Sequence, residues 1–342
     1  MRIKNFGCII LVICMLFCFS SCKNKSEIQM GRTDNEIAED RNVQFQNRKI
    51  ISYQDSCLGI ERKNGKYFVV RIYSGGTENK EILYSSEQVL MRLTVQNDIL
   101  YIEKISETIE GTEYWEVDYV SVNLQTNEIQ EEDQHIYQLC RQVNKCVQGF
   151  YWTASNLFIA FWEPGLYEDS IDDLYCVKND ELQLIAADYA FAKAPDNRMC
   201  YKLKKDSMLY AFDPVTETHT EYLLEGIPAD EIYDVLLINN DLLCEDESVV
   251  YKLSCNKKPE ILIDKNREPI FKDEFLLDQC AADTQFLYFS AQDGTYSVNM
   301  ETAEQQKLLD IQTDDLCVIG NCLYYHHALE TDGDKQIQVC ER

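Results

Sequence analysis

Tyr210-Ala211-Phe212-Asp213-Pro214-Val215-Thr216-Glu217 and Tyr296-Ser297-Val298-Asn299-Met300-Glu301-Thr302 follow one pattern. An aromatic or aliphatic residue leads, then any residue, an apolar one, Asp or Asn, and a polar turn with Thr or Glu. Val120-Ser121-Val122-Asn123-Leu124-Gln125-Thr126-Asn127-Glu128 is a third copy, and Tyr175-Cys176-Val177-Lys178-Asn179 and Tyr251-Lys252-Leu253-Ser254 are weaker ones. The aligned apolar residues are Val122, Val177, Phe212, Leu253 and Val298, spaced by 55, 35, 41 and 45 positions. A second element recurs as Tyr67-Phe68, Leu100-Tyr101, Tyr151-Trp152, Cys200-Tyr201, Leu243-Cys244, Leu287-Tyr288 and Tyr324-Tyr325, which makes seven. Asn64-Gly65, Asn97-Asp98, Asn240-Asp241 and Gly320-Asn321 precede several of these pairs. Those residue types accept the positive φ that tight hairpins need.

Between the turns the apolar residues alternate with period 2, as in Asp118 to Leu124 and Thr295 to Asn299, which is the spacing of half-buried strands. Tyr occurs 21 times and favours pleated surfaces. No long amphipathic helix is legible in the core. Short strands repeating every 40–50 residues predict a β-propeller of four-stranded blades. A lone blade has two faces to bury, and stacking blades around an axis buries each against its neighbour. The blades are expected at 48–86, 87–133, 134–187, 188–225, 230–265, 271–310 and 313–342. The last holds about three strands, at Asp315 to Ile319, Cys322 to His326 and Gln336 to Cys340. The strand Val43 to Ile51 is expected to complete it and close the ring, which removes exposed edges. A six-bladed ring and an irregular all-β protein are the competing arrangements.

The frame in Leu287-Tyr288-Phe289 with Gly294-Thr295-Tyr296-Ser297-Val298, and in Met208 to Thr216, resembles a family of propeller domains in secreted and lipid-anchored proteins of clostridia-like bacteria. That resemblance implies a propeller across most of residues 48–342 and assigns no activity. It loosely echoes the Tyr-Trp-Thr-Asp propellers of lipoprotein receptors, whose full motif this chain lacks.

The N-terminus carries Arg2 and Lys4, then an apolar run from Cys8 to Phe19. A positive start and roughly a dozen apolar residues form a secretory signal. The run is short of the ~20 residues that span a bilayer. Phe19-Ser20-Ser21-Cys22 resembles the lipobox of bacterial lipoproteins, with Phe19 where that family prefers Leu. The resemblance implies cleavage before Cys22 and a diacylglycerol on its sulfur, making membrane lipid the first partner. Residues 1–21 are then a signal peptide, 22–42 a lipidated, flexible tether, and 43–342 the propeller domain. The expected location is the outer face of a bacterial cytoplasmic membrane.

The formal charge is −27, and loss of Arg2 and Lys4 with the signal brings it near −29. Such a chain repels phosphate backbones, so nucleic acid is not an expected partner. Of the 15 cysteines, three lie in the apolar run and Cys22 is the fourth, leaving 11. An odd number cannot all pair within one chain. Several sit inside strand patterns, as in Met199-Cys200-Tyr201, where free cysteine acts as a small buried hydrophobe. Free thiols in an exported chain point to anaerobic surroundings. Cys317 with Cys322, and Cys140 with Cys146, are close enough in sequence for a hairpin disulfide.

No nucleophile elbow, P-loop or dinucleotide fingerprint occurs, and no cofactor is expected. The four histidines, His135, His219, His326 and His327, lack zinc spacing, and neighbours such as His326 and His327 point to opposite faces of a strand. The acidic turns Asp332-Gly333-Asp334 and Asp293-Gly294 offer fewer oxygens than a calcium loop needs and read as solvated turns. One segment stands out: Phe150-Tyr151-Trp152 through Phe158, then Phe161-Trp162-Glu163-Pro164-Gly165-Leu166-Tyr167 and the acids Glu168, Asp169, Asp172 and Asp173. It is either a blade core followed by a solvated loop or an aromatic platform for a ligand. On the second reading Trp162, Tyr167, Glu168 and Asp169 form the ligand surface. The expected function is a binding scaffold outside the cell for a protein, peptide or glycan, neutral or basic in charge. The alternative is a propeller enzyme acting on glycans, which needs clustered carboxylates with raised pKa in a central cleft.

Overall fold

The computed structural model describes residues 27–30 and 43–342, apart from residue 47 and the segments 74–77, 109–114, 132–134, 141, 144, 154–155, 163–171, 195–197, 205–206, 229–230, 239, 268–275 and 329–333. Two strands come first, β1 (Glu27–Met30) and β2 (Val43–Gln46), paired antiparallel. Seven antiparallel sheets follow, each built from consecutive strands. Blade 1 is β3–β6 (Ile50–Tyr53, Ser56–Lys63, Lys66–Tyr73, Lys80–Ser86) and blade 2 is β7–β10 (Leu90–Gln96, Ile99–Thr108, Trp115–Asn123, Ile129–Gln130). Blade 3 is β11–β14 (Cys146–Trp152, Leu157–Trp162, Asp172–Lys178, Glu181–Ala187) and blade 4 is β15–β18 (Tyr189–Lys193, Met199–Leu203, Met208–Asp213, Thr218–Leu223). Blade 5 is β19–β22 (Asp234–Ile238, Asp241–Glu245, Val249–Ser254, Glu260–Asp264) and blade 6 is β23–β26 (Ala281–Ala282, Phe286–Ala291, Gly294–Asn299, Gln305–Leu309). Blade 7 is β27–β29 (Thr313–Ile319, Cys322–His327, Gln338–Glu341). The molecule is a seven-bladed β-propeller, and the expected blade limits match the observed ones within a few residues at most edges.

The repeated motif has a physical job. Asn123, Asp213 and Asn299 each accept backbone N–H bonds two and three residues on, from Gln125 and Thr126, Val215 and Thr216, and Glu301 and Thr302. This fixes the turn from the third to the fourth strand. Between blades, apolar side chains interlock. Leu236, Leu243 and Val250 of blade 5 share a cluster with Leu287, Tyr288 and Val298 of blade 6. In the short blade 2 the outer strand has only two residues, and a single helix α1 (His135–Cys140) follows it. Its Leu139 is buried with Val147, Trp152 and Phe161 against Tyr101 and Tyr119, so the helix fills the groove between blades 2 and 3.

The ring closes differently from the expectation. The stretch 43–51 does not become the fourth strand of blade 7. Val43–Gln46 pairs with Glu27–Met30, inside the segment expected to be tether, and Ile50–Tyr53 is the innermost strand of blade 1. A two-residue turn at Gln54, with φ 50°, folds Ile50–Tyr53 straight back onto Ser56–Lys63. That local pairing carries less loop-closure entropy than a strand shared across the ring. The seam is sealed by packing instead. Ile50, Cys57, Val70 and Ile72 of blade 1 interlock with Cys317, Ile319, Tyr324 and Ile337 at blade 7. Gly59 makes this possible, since a Cβ there would lie 2.2 Å from Ile337 Cδ1. Arg62 and Lys335 exchange two backbone hydrogen bonds of 2.9 Å across the same seam. Arg48 adds a clasp near the axis, donating to Leu316 O at 3.2 Å and to Cys280 O at 2.9 Å while its own carbonyl accepts from Leu93 N–H. The β1–β2 hairpin lies against β3, β7, β19 and β23, innermost strands of four blades.

Among the described residues Cys317 and Cys322 are not joined in a disulfide. In register Cys317 faces Tyr324 and Cys322 faces Ile319, so the two thiols are not cross-strand partners. The side chain of Cys146 lies outside the described residues, so the Cys140–Cys146 expectation does too. Burial pushes the Cys317 thiol up to about 12, against a small opposing pull from Arg48.

Candidate ligand face

In each blade the strands alternate in direction, so the junctions within a blade and between blades fall alternately at the two ends of the ring. At one end lie the junctions from first to second and from third to fourth strands. They are short, and the longest spans 74–79. The opposite end carries 163–171, 224–233, 265–280 and 328–337. A blade needs two to five residues to turn a strand. The short end is therefore built for turning, and the long end carries surplus chain.

Of the ligand surface expected from sequence, only the backbone of Trp162 is described, and it lies at the long end. Trp162 is the last residue of β12, opposite Cys146 and Asp172 in register. Tyr167, Glu168 and Asp169 lie in 163–171, outside the described residues, as does Cys22. Part of the aromatic segment is core. Phe158 and Phe161 are fully buried, and Trp152 stacks on Tyr101 with ring centroids 4.6 Å apart. Both acids at the foot of 163–171 are paired. Lys204 reaches Asp172 at 3.4 Å and Asp188 at 2.9 Å, and Lys145 holds Asp173 at 2.7 Å. Burial raises the Asp172 carboxyl, and Lys204 opposes it.

A larger network, not foreseen in the sequence, underlies the segments 224–233 and 265–280. Glu245 ends β20 and is 0 % exposed. One carboxylate oxygen accepts from Lys265 Nζ, and the other accepts the Leu277 N–H at 2.7 Å. Lys265 Nζ also donates to Tyr233 Oη at 3.0 Å and to Asp246 O at 3.1 Å. Tyr233 Oη donates to Asp246 O at 2.9 Å. Beside it, buried Lys193 of blade 4 is paired with buried Asp234 of blade 5. The Asp246 carboxylate accepts Ser248 and Val249 N–H and the Tyr251 hydroxyl. Asp283 repeats this arrangement with Gln285, Phe286 and Tyr288. Burial, with help from the nearby Asp234, raises the Glu245 carboxyl to about 7 against the pull of Lys265. The only signal in the sequence is two acids, Glu245-Asp246, closing an apolar strand.

This network tests the enzyme alternative. Glu245 has the raised pKa of a general acid, but not the access. Both its oxygens are held by protein donors, and it is sealed from solvent. It pins the ends of 265–280 to blade 5. His326 is buried with Nδ1 3.0 Å from Asp315 Oδ2, while His327 is half-buried on the other face of β28. Burial pushes the Asp315 carboxyl up, but the His326 hydrogen bond and charge outweigh it and hold the group well below the usual range. Asp293 is bonded to Tyr296 and Lys307 and Asp334 to the Asn64 N–H, while Asp332 and Gly333 lie outside the described residues. Among the described residues no group of three or more His, Cys, Asp or Glu is placed to hold a metal ion. No described helix is long and apolar enough to cross a membrane.

No family model and no curated protein matches this chain. Solved structures do. The extracellular domain of a putative hybrid two component system, BT4673 from B. thetaiotaomicron, aligns with TM-score 0.51 at 10 % identity over 86 % of this chain and 40 % of that one. A second structure of that domain, described as a one component system, gives 0.48 at 9 % over the same shares. PorZ, a bacterial surface component of the type-IX secretion system of Porphyromonas gingivalis, gives 0.45 at 11 % over 87 % of this chain and 38 % of its own. This chain thus spans about 40 % of the length of these proteins. At such identities the likeness is one of fold alone.

Proposed function

We propose that this protein is an extracytoplasmic binding scaffold, tethered to the membrane through lipid on Cys22, that recognises its ligand at the end of the ring where the long segments emerge. The observation that carries the reading is the asymmetry of the two ends. Short hairpins complete the fold on one side, while 163–171, 224–233, 265–280 and 328–337 crowd the other. Chain kept beyond what a fold needs is where binding residues gather. The basic apolar N-terminus and Phe19-Ser20-Ser21-Cys22 support export and anchoring. The likeness in fold to an extracellular domain agrees with that setting.

The ligand is a neutral or basic protein, peptide or glycan. A mature charge near −29 repels polyanions and attracts cations at range. Trp162, Tyr167, Glu168 and Asp169 are the first contacts in this reading, as aromatic anchors dominate binding surfaces. The test is capture of envelope proteins and glycans by the protein, repeated with Trp162→Ala and Tyr167→Ala. Loss of the captured ligand in either variant, with the fold intact, supports the reading. Turnover of a captured glycan or peptide, abolished by replacing one carboxylate of the ring, overturns it.

A further inference from the structure

The β1–β2 hairpin lies where the innermost strands of the blades surround the axis. Its strand β2 lies against β3 of blade 1, β7 of blade 2 and β23 of blade 6, while β1 lies against β19 of blade 5. Blades 2 and 5 stand three places apart in a ring of seven, which is as far apart as two blades can be. The paired strands therefore cross the channel from one wall to the other.

The direction of the chain follows from two observations. Only residues 47–49 separate β2 from β3, yet the two strands lie side by side, so the chain reverses between them. Arg48, in that reversal, forms an antiparallel bridge with Leu93 in the middle of β7. Since β7 runs from the long-segment end to the short-turn end, β2 reaches Arg48 from the short-turn end. The hairpin thus occupies the channel from that end up to the level of Leu93.

Arg48 clamps this ribbon to the wall on both sides. Its carbonyl accepts the Leu93 N–H of blade 2 at 2.8 Å. Its guanidinium donates to Leu316 O of blade 7 at 3.2 Å and to Cys280 O, just ahead of β23 in blade 6, at 2.9 Å. The residue is buried, and charged donors held away from water make the stronger hydrogen bonds. One short piece of chain therefore touches blades 1, 2, 5, 6 and 7, including both blades of the seam.

The hairpin is nevertheless a unit apart from the blades. β1 and β2 form a two-stranded sheet of their own. Each innermost strand that they touch is held by its own second strand: β3 by β4, β7 by β8, β19 by β20 and β23 by β24. No blade needs the hairpin to keep its ladder. The hairpin does need the ring, because an isolated two-stranded ribbon is marginal in water. Pairing of β1 with β2 and seating in the channel are then one event, separable from folding of the blades.

We infer that the β1–β2 hairpin is a removable strap: seated, it closes the ring from the inside and shuts its axis to ligand, and released, it opens the channel while the seven blades stay folded. Proteins open in cooperative units, and a unit with few bonds to the rest opens below the global free energy. The strap does not rest on the function proposed above.

The experiment is native-state amide exchange on the full protein. Leu93 is the reporter, since its N–H points into the channel and is covered by Arg48 O. Thr94 is the control, because bond direction alternates along an antiparallel ladder and its N–H faces Tyr101 of β8. Leu93 and the paired amides of β1 and β2 should exchange together, about tenfold or more faster than Thr94. Their opening should have a urea slope well below that of Thr94, because it exposes less surface than global unfolding. Gln44→Pro combined with Phe45→Pro removes whichever N–H pairs with β1. That variant should strip the protection of Leu93 and leave Thr94 protected. Two results would overturn the inference: Leu93 exchanging no faster than Thr94 and with the same urea slope in the parent, or unchanged Leu93 protection in the proline variant. If the proline variant fails to fold, exchange in the parent decides alone.

Discussion

Replacing Lys265 by Met should be among the most damaging single changes in this protein, and its cost should grow with pH. Lys265 is the ammonium paired with the Glu245 carboxylate among the described residues, and Tyr233 and Asp246 share it. Methionine keeps the stem volume but removes the ammonium that faces the sealed Glu245 carboxylate. Removing one partner of a buried ion pair costs about 3–5 kcal/mol. The protein can limit that loss by protonating Glu245. The sign follows from the pKa. A carboxyl raised in the folded state contributes stability that is fully present below its unfolded value of 4.5 and is lost as pH rises through the folded value of about 7. In the parent this amounts to about 3 kcal/mol across that window, at 1.36 kcal/mol per pH unit. Without Lys265 the folded value rises further, so the loss continues above pH 7. Urea unfolding at pH 5 and pH 8 should show a penalty that is larger at pH 8 by about 1 kcal/mol, since only the pH unit above 7 adds to the loss. The double variant Lys265→Met with Glu245→Leu should recover much of it, since no charge is left buried. A penalty under about 1 kcal/mol at pH 8, or no recovery in the double variant, would refute the reasoning.

Three further outcomes follow from the same geometry. Arg48→Ala should destabilise by about 3–6 kcal/mol, because it removes two charged donors from buried carbonyls of blades 6 and 7, each worth about 1.5–3 kcal/mol; unchanged melting would show the clasp to be idle. Gly59→Val should cost about 1–3 kcal/mol or more by forcing Ile337 out of the seam, as read by chemical denaturation. Iodoacetamide on the native protein should label exposed Cys255 first and leave Cys57, Cys200, Cys244 and Cys317 untouched, and mass mapping that finds early alkylation of the buried four would contradict the closed seam.

The blades were readable because each is local. A strand, a turn with Asn, Asp or Gly, and a returning strand sit within ten or so residues, and the Asn123, Asp213 and Asn299 turns leave their mark in every good copy. Contacts between distant parts of the chain were not legible. Lys193 with Asp234, Lys265 with Glu245 and Arg48 with Leu316 join residues far apart in sequence, and lysines and acids in strands look like any solvated face. The mode of closure was missed for the same reason. Val43 to Ile51 has the pattern of a strand, but pattern does not name the partner strand. The helix α1 escaped notice because its six residues are too few to show a period.

The central claim is that the ligand meets the ring at its long-segment end. A photo-crosslinking residue placed at Tyr167, in the 163–171 segment, tests it against one placed at Val215, which is 79 % exposed in a turn at the opposite end. Irradiated in the native envelope, the protein should form a discrete adduct from position 167 and none from position 215. An adduct from position 215 alone would contradict the account.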